Sequence, residues 1–333
     1  MARQKRATEG GTPWCVQVEL AEGCTRLCTF CGLNAIRSRA GNFKYMSMET
    51  AELAAKQTSE LNPRCRIEFA LRGEPLANPN CTRIIKKFRE YLPGVQLMLT
   101  TNGDTLKRRM QIKLEELFHA GLNLVILDTY YPEPGRQELR DEAFALHDME
   151  VLDFFTEMAP YGISPWHNKG MTRQRMVVVM DDLLECDGET KSRVVKNHAG
   201  SNPTMPVVSG RFPLVRNCAR PFREIVIHYD GSVPICCDDW RRQFTLGNIF
   251  ESHLGDIWRS ELLEAARARL YNKDRAFGPC KECDVASASR SGLLAPYDPP
   301  TLHQIDITEA ETERGEHKIP IWKGGDPSLY YRP

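Results

Sequence analysis

Short apolar runs alternate with amphipathic stretches along the first two-thirds of the chain. The apolar runs are rich in Val, Ile and Leu, which is typical of strands buried on both faces of a parallel sheet. These predicted strands are residues 15–20, 66–71, 95–101, 122–128 and 176–181. Helical periodicity lies between them, at residues 47–61, 82–91, 105–120 and 142–158. Regular alternation of strand and helix predicts βαβ units that build a parallel sheet or barrel.

Local signals mark the ends of two of these helices. Ser47 is predicted to cap the first helix, with Glu49 in its first turn. Gly121 is predicted to end the third helix after Ala120, because glycine readily adopts the backbone conformation that stops a helix.

The pattern changes after about residue 200. Residues 224–228 and 232–235 flank a Tyr-Asp-Gly turn, which predicts a hairpin. An amphipathic helix is predicted over residues 253–270. From residue 295 onward, proline and charged residues dominate without periodicity, so this tail is predicted to be irregular.

Composition narrows the class of protein. The chain has 333 residues, of which 41% are hydrophobic, so it can bury a large core. Its 44 basic and 44 acidic residues give no net charge, which disfavours nucleic acid as a partner. No apolar run approaches the about 20 residues of a bilayer span, so no membrane association is expected. The basic start of the chain has no apolar stretch behind it, so a cytoplasmic location is expected.

The 12 cysteines are the unusual number in this composition. A cytoplasmic protein keeps its thiols reduced, so many cysteines indicate metal ligands or redox groups. Four of them have no partner at a ligand spacing and are expected to be buried small hydrophobic residues; they are Cys15, Cys65, Cys81 and Cys186.

A first group of cysteines directly follows the first predicted strand. Cys24, Cys28 and Cys31 form a C-x3-C-x2-C run. Thiolates suit zinc, Cu(I) or iron–sulfur clusters, and a structural zinc site or an ordinary four-iron cluster needs four protein ligands. Three local ligands therefore leave one position open for substrate or cofactor. The alternative is a zinc loop whose fourth ligand lies elsewhere, such as Cys15.

This spacing, with an aromatic residue before the third cysteine, resembles the radical SAM superfamily. The resemblance implies that Cys24, Cys28 and Cys31 hold a [4Fe-4S] cluster whose fourth iron binds S-adenosylmethionine (SAM). It also implies that one electron cleaves SAM to a 5′-deoxyadenosyl radical, which abstracts a hydrogen atom from substrate. By the same resemblance Phe30 packs near the SAM adenine, and a flavodoxin or ferredoxin supplies the electron.

Two further segments are similar to motifs of that family. Arg72-Gly73-Glu74-Pro75 resembles a Gly-Gly-Glu-Pro segment that binds the SAM amino group, and this implies Gly73 and Glu74 as SAM-binding residues. The sequence departs from the pattern at Arg72, which stands in place of the first glycine. Asn102 and Asp128, at the ends of the third and fourth predicted strands, are implied to contact SAM or substrate.

A second group of cysteines lies in the last third of the chain. Its order, with Asp-Gly in a hairpin, a Gly-Asn-Ile segment and a final C-x2-C, resembles the SPASM extension of radical SAM proteins. The resemblance implies one auxiliary [4Fe-4S] cluster with four ligands, Cys218, Cys236, Cys280 and Cys283. Cys237 is expected to face away, because adjacent side chains of a strand point to opposite faces. A zinc site is the alternative for these four cysteines.

These features predict an α/β protein with a partial (β/α)6 TIM-type barrel followed by a small α+β cluster-binding domain of the SPASM or twitch type. The expected organisation is a flexible N-terminus (1–12), the radical SAM partial barrel (13–210), the auxiliary cluster domain (211–285) and an irregular tail (286–333).

Three hypotheses of function remain. The leading one is a radical SAM oxidoreductase or maturase that modifies a peptide or protein side chain, with the auxiliary cluster as electron acceptor. The second is a radical SAM dehydrogenase of a small alcohol such as an aminocyclitol or sugar, and the third is a non-catalytic zinc or iron–sulfur binding module. Asp128, Tyr130 and Asp181 are the candidate catalytic bases. Because little sequence precedes Cys24, either a leader peptide is held by a separate protein or there is no leader.

Overall fold

The computed structural model describes residues 11–28, 31–35, 43–130, 135–146, 153–157, 174–179, 183–186, 189–192, 197–202 and 210–285. Phe30, Asp181 and the predicted tail 286–333 lie outside these ranges.

The described residues form thirteen strands. They are β1 (Cys15–Val18), β2 (Ala21–Glu22), β3 (Lys44–Tyr45), β4 (Arg66–Phe69), β5 (Leu97–Thr101), β6 (Leu124–Asp128), β7 (Asp153–Glu157), β8 (Arg175–Val179), β9 (Leu183–Cys186), β10 (Glu189–Ser192), β11 (Glu224–Ile227), β12 (Ser232–Pro234) and β13 (Thr245–Asn248). The α-helices in the same ranges are α1 (Met48–Leu61), α2 (Cys81–Tyr91), α3 (Met110–His119), α4 (Arg136–Ala145), α5 (Arg220–Arg223), α6 (Leu254–Trp258) and α7 (Glu261–Tyr271).

Seven of the strands form one sheet in the order β11-β1-β4-β5-β6-β8-β7. Every neighbouring pair in it is parallel. The predicted α/β fold with a parallel sheet is therefore confirmed. Because parallel strands place their carboxyl ends at one edge, the loops that follow β1, β4, β5 and β6 meet there.

The main hydrophobic core lies between one face of the sheet and the helices. One face is apolar and packs against helices; its buried residues include Val16 and Val18 of β1, Ile67 and Phe69 of β4, and Leu97 and Leu99 of β5. Phe69 meets Phe88 of α2 edge to face, with the ring centroids 5.2 Å apart. Alanines of α1 lie in the same core, which allows close approach of that helix. Burial of this face is the main stabilising contribution to the fold.

Several sequence predictions about the elements are confirmed. The Ser47 side chain accepts a hydrogen bond from the backbone N–H of Thr50 and so caps α1. Gly121 follows the C-cap of α3 with φ of +104°. Cys15, Cys65 and Cys81 are buried as expected, whereas the side chain of Cys186 lies outside the described residues.

Two predicted helices differ from the structure. Residues 142–158 were expected to form one helix, but α4 ends at Ala145 and β7 begins at Asp153. The aromatic and β-branched residues of β7 favour a strand, and β7 completes the sheet by pairing with β8. The predicted helix 253–270 is two helices, because Ser260 caps α7 and its side chain accepts from the N–H of Leu263.

The predicted hairpin near residue 230 also differs in its pairing. The turn is present, since the His228 N–H donates to the Ser232 carbonyl at 2.9 Å. However, β11 pairs in parallel with β1 and extends the main sheet, while β12 pairs with β13. This pairing places β11, which leads through the turn into the segment that carries Cys236, directly beside the first strand of the sheet.

Within the described ranges, no helix is both long and apolar enough to cross a membrane.

Candidate functional site

The loop after β1 gathers the three cysteines of the first group. Burial, together with the neighbouring Glu74, Cys28 and Cys31, raises the pKa of the Cys24 thiol to about 11. The Cys31 N–H donates to the Cys28 carbonyl at 3.0 Å, which turns the chain between these two residues. The three thiols are therefore neighbours at the carboxyl end of β1. Cys15, the suggested fourth zinc ligand, lies at the opposite end of that strand.

Gly73 lies where the chain after β4 passes against the chain after β1. A Cβ atom at this position would come within 2.0 Å of the Ala21 carbonyl oxygen and 2.5 Å of the Gly23 carbonyl oxygen. Both contacts are to backbone, so no side chain could move aside. Glycine is required here by close backbone packing, which agrees with the sequence motif.

Glu74 is buried and its carboxylate joins two strand ends. Oε1 accepts from the Thr101 hydroxyl at 2.7 Å and from the Leu76 N–H at 3.0 Å, and Oε2 accepts from the Asn102 N–H at 2.9 Å. Burial raises the pKa of Glu74 to about 7, although these hydrogen bonds act in the opposite direction. In this structure the carboxylate therefore positions the end of β5 against the end of β4.

Asn102 lies beside the first cysteine. Its Nδ2 is 3.4 Å from the Cys24 Sγ and 3.1 Å from the Thr25 hydroxyl, and its Oδ1 accepts from the Asp104 N–H at 2.9 Å. The predicted residues Gly73, Glu74 and Asn102 are thus brought together with the cysteine loop at one edge of the sheet.

Arg136 of α4 is a site residue that the sequence analysis missed. Its guanidinium, whose side chain is 3% exposed, donates to the carbonyls of Thr129, Asp128 and Asn102 and pairs with Asp104. It therefore fixes the ends of β5 and β6 relative to each other. No local motif marks an arginine that acts in this way, because its partners lie up to 34 residues away.

Asp128 and Tyr130, two of the candidate bases, flank this arginine. Asp128 is the last residue of β6, and its carbonyl accepts from Arg136 at 3.2 Å. Tyr130 has φ of +50°, and the guanidinium carbons of Arg26 and Arg136 lie 5.4 and 6.0 Å from its ring centroid. Both residues belong to the same edge of the sheet as the cysteine loop.

Arg72, the departure from the family motif, is buried and pairs with the carboxylates of Glu19 and Glu22. Its guanidinium binds the Glu19 carboxylate through two hydrogen bonds of 2.7 and 2.8 Å, and it also donates to the Trp240 carbonyl at 3.1 Å. The backbone beside it is unusual, since Leu71 has φ of +96°. Arg72 thus joins the strand end after β4 to β1 and to the segment that follows Cys237.

Glu19 has a second partner, His228, directly after β11. His228 Nδ1 lies 2.9 Å from Glu19 Oε2, and the Nε2 of this histidine has no hydrogen-bond partner among the described residues. Burial alone would raise the pKa of Glu19, but His228 and Arg72 lower it to about 2. Removing one partner would leave the buried Glu19 charge incompletely paired, which is costly in a protein interior.

The second group of cysteines also converges. Burial raises the pKa of Cys236, and the charges of Cys280 and Cys283 add to the effect. Burial raises the pKa of Cys280 to about 12, with Cys218 as the next cause. The four predicted ligands therefore lie near one another, although they come from widely separated parts of the chain.

Arg275 holds the segments that carry these cysteines. It is 2% exposed and donates to the carbonyls of Arg216 and Asn217, just before Cys218, and to the carbonyl of Val285, just after Cys283. These bonds, each 2.8 or 2.9 Å long, tie the two ends of the cysteine group together.

Cys237 has a different environment from Cys236. Its Sγ accepts a hydrogen bond from Arg220 at 2.7 Å, and Arg220 also pairs with Glu224 at 3.1 Å and with Asp238 at 3.0 Å. Burial raises the pKa of the Cys237 thiol, Arg220 acts in the opposite direction, and the charges of Asp238, Glu224 and Glu68 of β4 add to the increase.

Trp240 connects the two cysteine groups. Its indole N–H donates to the Cys237 carbonyl at 3.0 Å, and its ring packs on His198 with the centroids 3.8 Å apart. Gly32, which directly follows Cys31, packs against this pair so closely that a Cβ there would lie 3.2 Å from the indole.

The donor sets at both places fit iron–sulfur clusters. Thiolates are the usual ligands of such clusters, and here three are gathered in one loop and four in a second region. Across the described part of the chain, no three Cys, His, Asp or Glu side chains are gathered as a single metal ion would need. The cysteines of each group are thus neighbours rather than a closed single-ion site.

Comparison with known families gives two matches. The model of the radical SAM superfamily matches residues 18–146, and the model of an iron–sulfur cluster-binding domain, SPASM, matches residues 218–284. The two matches contain the first and the second cysteine group respectively.

Individual relatives cover most of the chain. An S-adenosyl-L-methionine-dependent 2-deoxy-scyllo-inosamine dehydrogenase of Niallia circulans is 24% identical over 273 residues, which are 82% of this chain and 93% of that protein. An uncharacterized protein of Treponema pallidum (strain Nichols) is 22% identical and covers 73% of this chain and 70% of its own length. Among solved structures, BtrN in complex with AdoMet and 2-DOIA superposes with a TM-score of 0.63 at 22% identity, over 83% of this chain and 95% of that one.

Proposed function

We propose that this chain, which belongs to the radical SAM superfamily and carries a C-terminal SPASM domain, is a dehydrogenase that oxidises an alcohol of a small polar molecule to a ketone. It is an oxidoreductase that uses SAM and iron–sulfur clusters, including an auxiliary cluster. The substrate class and the roles of individual residues are the content of the proposal.

The observation that carries the proposal is the complete set of four neighbouring thiols at the second site. A cluster bound by Cys218, Cys236, Cys280 and Cys283 has no open iron for substrate, so it is suited to accept an electron. Dehydrogenation needs such an acceptor, since the hydrogen atom that SAM chemistry removes is only half of a two-electron oxidation.

The reaction balances with the cofactors of this family. When bound, the cluster held by Cys24, Cys28 and Cys31 would supply the one electron that cleaves SAM, the 5′-deoxyadenosyl radical would take one hydrogen atom from the alcohol carbon, and the auxiliary cluster would accept the second electron. The hydroxyl proton goes to a base of the protein. The products are a ketone, methionine and 5′-deoxyadenosine, with no net consumption of electrons.

The protein's own residues bind and orient the reactants. Cys24, Cys28 and Cys31 would hold the cluster with the open iron, and the backbone at Gly73 would let SAM approach closely. Glu74 would hold the ends of β4 and β5 at the spacing that SAM binding requires.

The base remains one of the residues expected from the sequence. Asp128 and Tyr130 lie at the edge of the sheet that carries the cysteine loop, and Asp181 is the third candidate. Phe30 is proposed to contact the SAM adenine. A small electron carrier such as a flavodoxin or ferredoxin is proposed as the reductant, in the reducing cytoplasm that free thiols favour.

The substrate class is supported by the dehydrogenase of Niallia circulans, which is matched over 93% of its length. Its name describes action on 2-deoxy-scyllo-inosamine, an aminocyclitol and therefore a small molecule rich in hydroxyl groups. A small alcohol is therefore favoured over the peptide substrate, which is the leading hypothesis from the sequence alone.

The test is an anaerobic reaction of the reconstituted protein with SAM and dithionite. One sample contains 2-deoxy-scyllo-inosamine and another contains peptides with Cys or Ser. In the aminocyclitol sample we expect a ketone that is two mass units lighter than the alcohol. Hydroxylamine traps this ketone as its oxime. Oxidation confined to the peptides would overturn the proposal in favour of a maturase.

A matched pair of variants distinguishes cleavage of SAM from formation of the ketone. Cys28→Ala is expected to abolish 5′-deoxyadenosine, whereas Cys280→Ala is expected to keep SAM cleavage and lose ketone. A Cys280→Ala protein that forms ketone at the wild-type rate would contradict the role of the auxiliary site.

A further inference from the structure

The Asn102 side chain has a fixed orientation beside Cys24. It is 5% exposed, and its Oδ1 accepts the Asp104 N–H at 2.9 Å, which forms a tight turn after β5. Because the oxygen must face that N–H, the Nδ2 group must face the opposite way. The assignment of oxygen and nitrogen in this amide thus follows from its hydrogen bonds.

Both protons of the amide then have acceptors. Nδ2 lies 3.1 Å from the Thr25 hydroxyl and 3.4 Å from the Cys24 Sγ, and the latter distance is normal for a bond to the larger sulfur atom. The backbone N–H of Arg26 also donates to this sulfur at 3.4 Å. Cys24 therefore receives two N–H donors, one of them from a side chain on a different strand end.

The rest of the structure holds Asn102 in place. Its backbone N–H donates to Glu74 Oε2 at 2.9 Å, and its carbonyl accepts from Arg136. With the backbone bound on both sides and the oxygen used in the turn, the amide has little freedom to rotate toward SAM or substrate. In this conformation its contact is with the thiol.

We propose that Asn102 is a positioning residue that raises the reduction potential of the SAM-binding cluster by donating a hydrogen bond to the Cys24 thiolate. Hydrogen bonds to cluster sulfurs are among the factors that set reduction potentials. When one electron enters the cluster, negative charge on the thiolate grows and the N–H···S bond becomes stronger. The bond therefore stabilises the reduced state more than the oxidised one.

The inference rests on Cys24 as a cluster ligand, as proposed above, and not on the identity of the substrate. The experiment accordingly needs neither substrate nor turnover. The reconstituted protein is titrated with dithionite, and each cluster is followed by electron paramagnetic resonance. A parallel sample with SAM identifies the cluster with the open iron, because SAM alters its signal.

Two variants remove the donor in different ways. Asn102→Ala loses both the N–H donor and the turn, whereas Asn102→Asp keeps the oxygen that binds the Asp104 N–H and replaces the donor by a carboxylate. We expect both to reduce the equilibrium constant for reduction of the SAM cluster by about threefold to tenfold. That change corresponds to a midpoint roughly 30–60 mV more negative for one electron.

Two controls are built into the measurement. The auxiliary cluster in the same molecule is expected to keep its midpoint. Asn123 is a matched buried asparagine, whose Oδ1 accepts the Leu97 N–H at 2.9 Å at the other end of β5. Asn123→Ala is expected to leave both midpoints unchanged.

An unchanged SAM-cluster midpoint in Asn102→Ala and Asn102→Asp would overturn the proposal. Equal shifts of both clusters, or a shift in Asn123→Ala of the same size, would also overturn it, because the effect would then be a general loosening. If neither variant takes up iron at the first site, Asn102 builds the loop and does not tune the cluster. Failure of wild type to bind iron there would instead contradict the assignment of Cys24.

Discussion

Gly73 shows at the scale of one residue why the strand end after β4 tolerates no side chain. The carbonyl oxygens of Ala21 and Gly23 would lie 2.0 and 2.5 Å from an added Cβ, so the backbone after β1 would have to move. That backbone leads directly into the cysteine loop. The geometry of the cysteine loop and that of the strand end proposed to bind SAM therefore depend on the same contact.

Gly73→Ala is expected to weaken SAM binding to the reconstituted protein by at least about tenfold, or about 1.4 kcal/mol. Anaerobic equilibrium dialysis with labelled SAM measures the affinity. Gly94→Ala is the matched control, because nothing lies within 4 Å of a Cβ at that position. A Gly73→Ala protein with wild-type affinity would show that the close approach does not matter for SAM.

Glu74 provides a prediction for pH dependence. Burial raises its pKa in the folded chain to about 7, above the ordinary 4.5. Between these values the folded chain keeps a proton that the unfolded chain has released, so stability falls as pH rises through this window. Glu74→Gln removes the effect, and from pH 5.5 to 8 its unfolding free energy should gain about 2 kcal/mol relative to wild type.

Urea unfolding of both proteins at several pH values measures this difference. Other titrating groups cancel in the comparison, since they are the same in both chains. Parallel stability curves for wild type and variant would contradict a raised pKa at Glu74.

The sequence predicts site residues whose motif lies within a few consecutive positions. The spacing of Cys24, Cys28 and Cys31 is contained in eight consecutive positions, and the glycine of the strand end is part of a short motif. The roles of Arg136 and Arg275 could not be predicted, because each acts on carbonyls of segments that are distant in sequence. An arginine that binds backbone carbonyls leaves no pattern in the positions around it.

Arg72 and Glu19 connect elements rather than single residues. Glu19, at the end of β1, is completely buried and is paired with Arg72 after β4 and with His228 after β11. The Trp240 carbonyl accepts a further hydrogen bond from Arg72. Arg72, which stands where the family motif has glycine, thus carries a charge that joins the ends of β1 and β4 to the segment after Cys237.

Arg72→Gly is expected to lower the unfolding free energy by about 3 kcal/mol, because it leaves the buried Glu19 carboxylate with one partner fewer. Adding Glu19→Gln should recover part of the loss. Lys113→Ala, which breaks an exposed pair with Glu116, serves as control and should cost about 0.5 kcal/mol or less. An unchanged urea midpoint for Arg72→Gly would show that the pair contributes no stability.

Strongly periodic elements could be predicted from the sequence. Elements whose structure depends on pairing with a distant strand could not. The strands β1, β4, β5 and β6 and the helices α1 and α2 were predicted because apolar positions repeat along them. Residues 153–157 read as helix in the sequence, but the edge of β8 was available and β7 formed there. The parallel pairing of β11 with β1 is a contact between residues about 209 apart, so no local signal could predict it.

The whole molecule brings its two cysteine groups together through shared structure. Gln57 of α1 donates to the Ile249 carbonyl at 3.0 Å and accepts from the Leu254 N–H at 2.7 Å, which joins the first part of the chain to α6. Trp240 lies between Gly32 of one cysteine loop and Cys237 beside the other. The two cysteine groups are therefore parts of one packed unit.

Metal content gives the prediction at this scale. The reconstituted wild-type protein should hold about eight irons with matching sulfide, four for each cluster. Cys28→Ala and Cys280→Ala should each keep about four irons, because each variant loses one site and retains the other. Zinc without sulfide in wild type would contradict both clusters.

The most direct test of the account uses an aminocyclitol that carries deuterium at its alcohol carbons. The proposed reaction transfers hydrogen from such a carbon to the radical derived from SAM. Mass spectrometry of 5′-deoxyadenosine after anaerobic turnover should therefore find one deuterium, with ketone formed in equal amount. Undeuterated 5′-deoxyadenosine, formed at the same rate with and without the alcohol, would contradict the account.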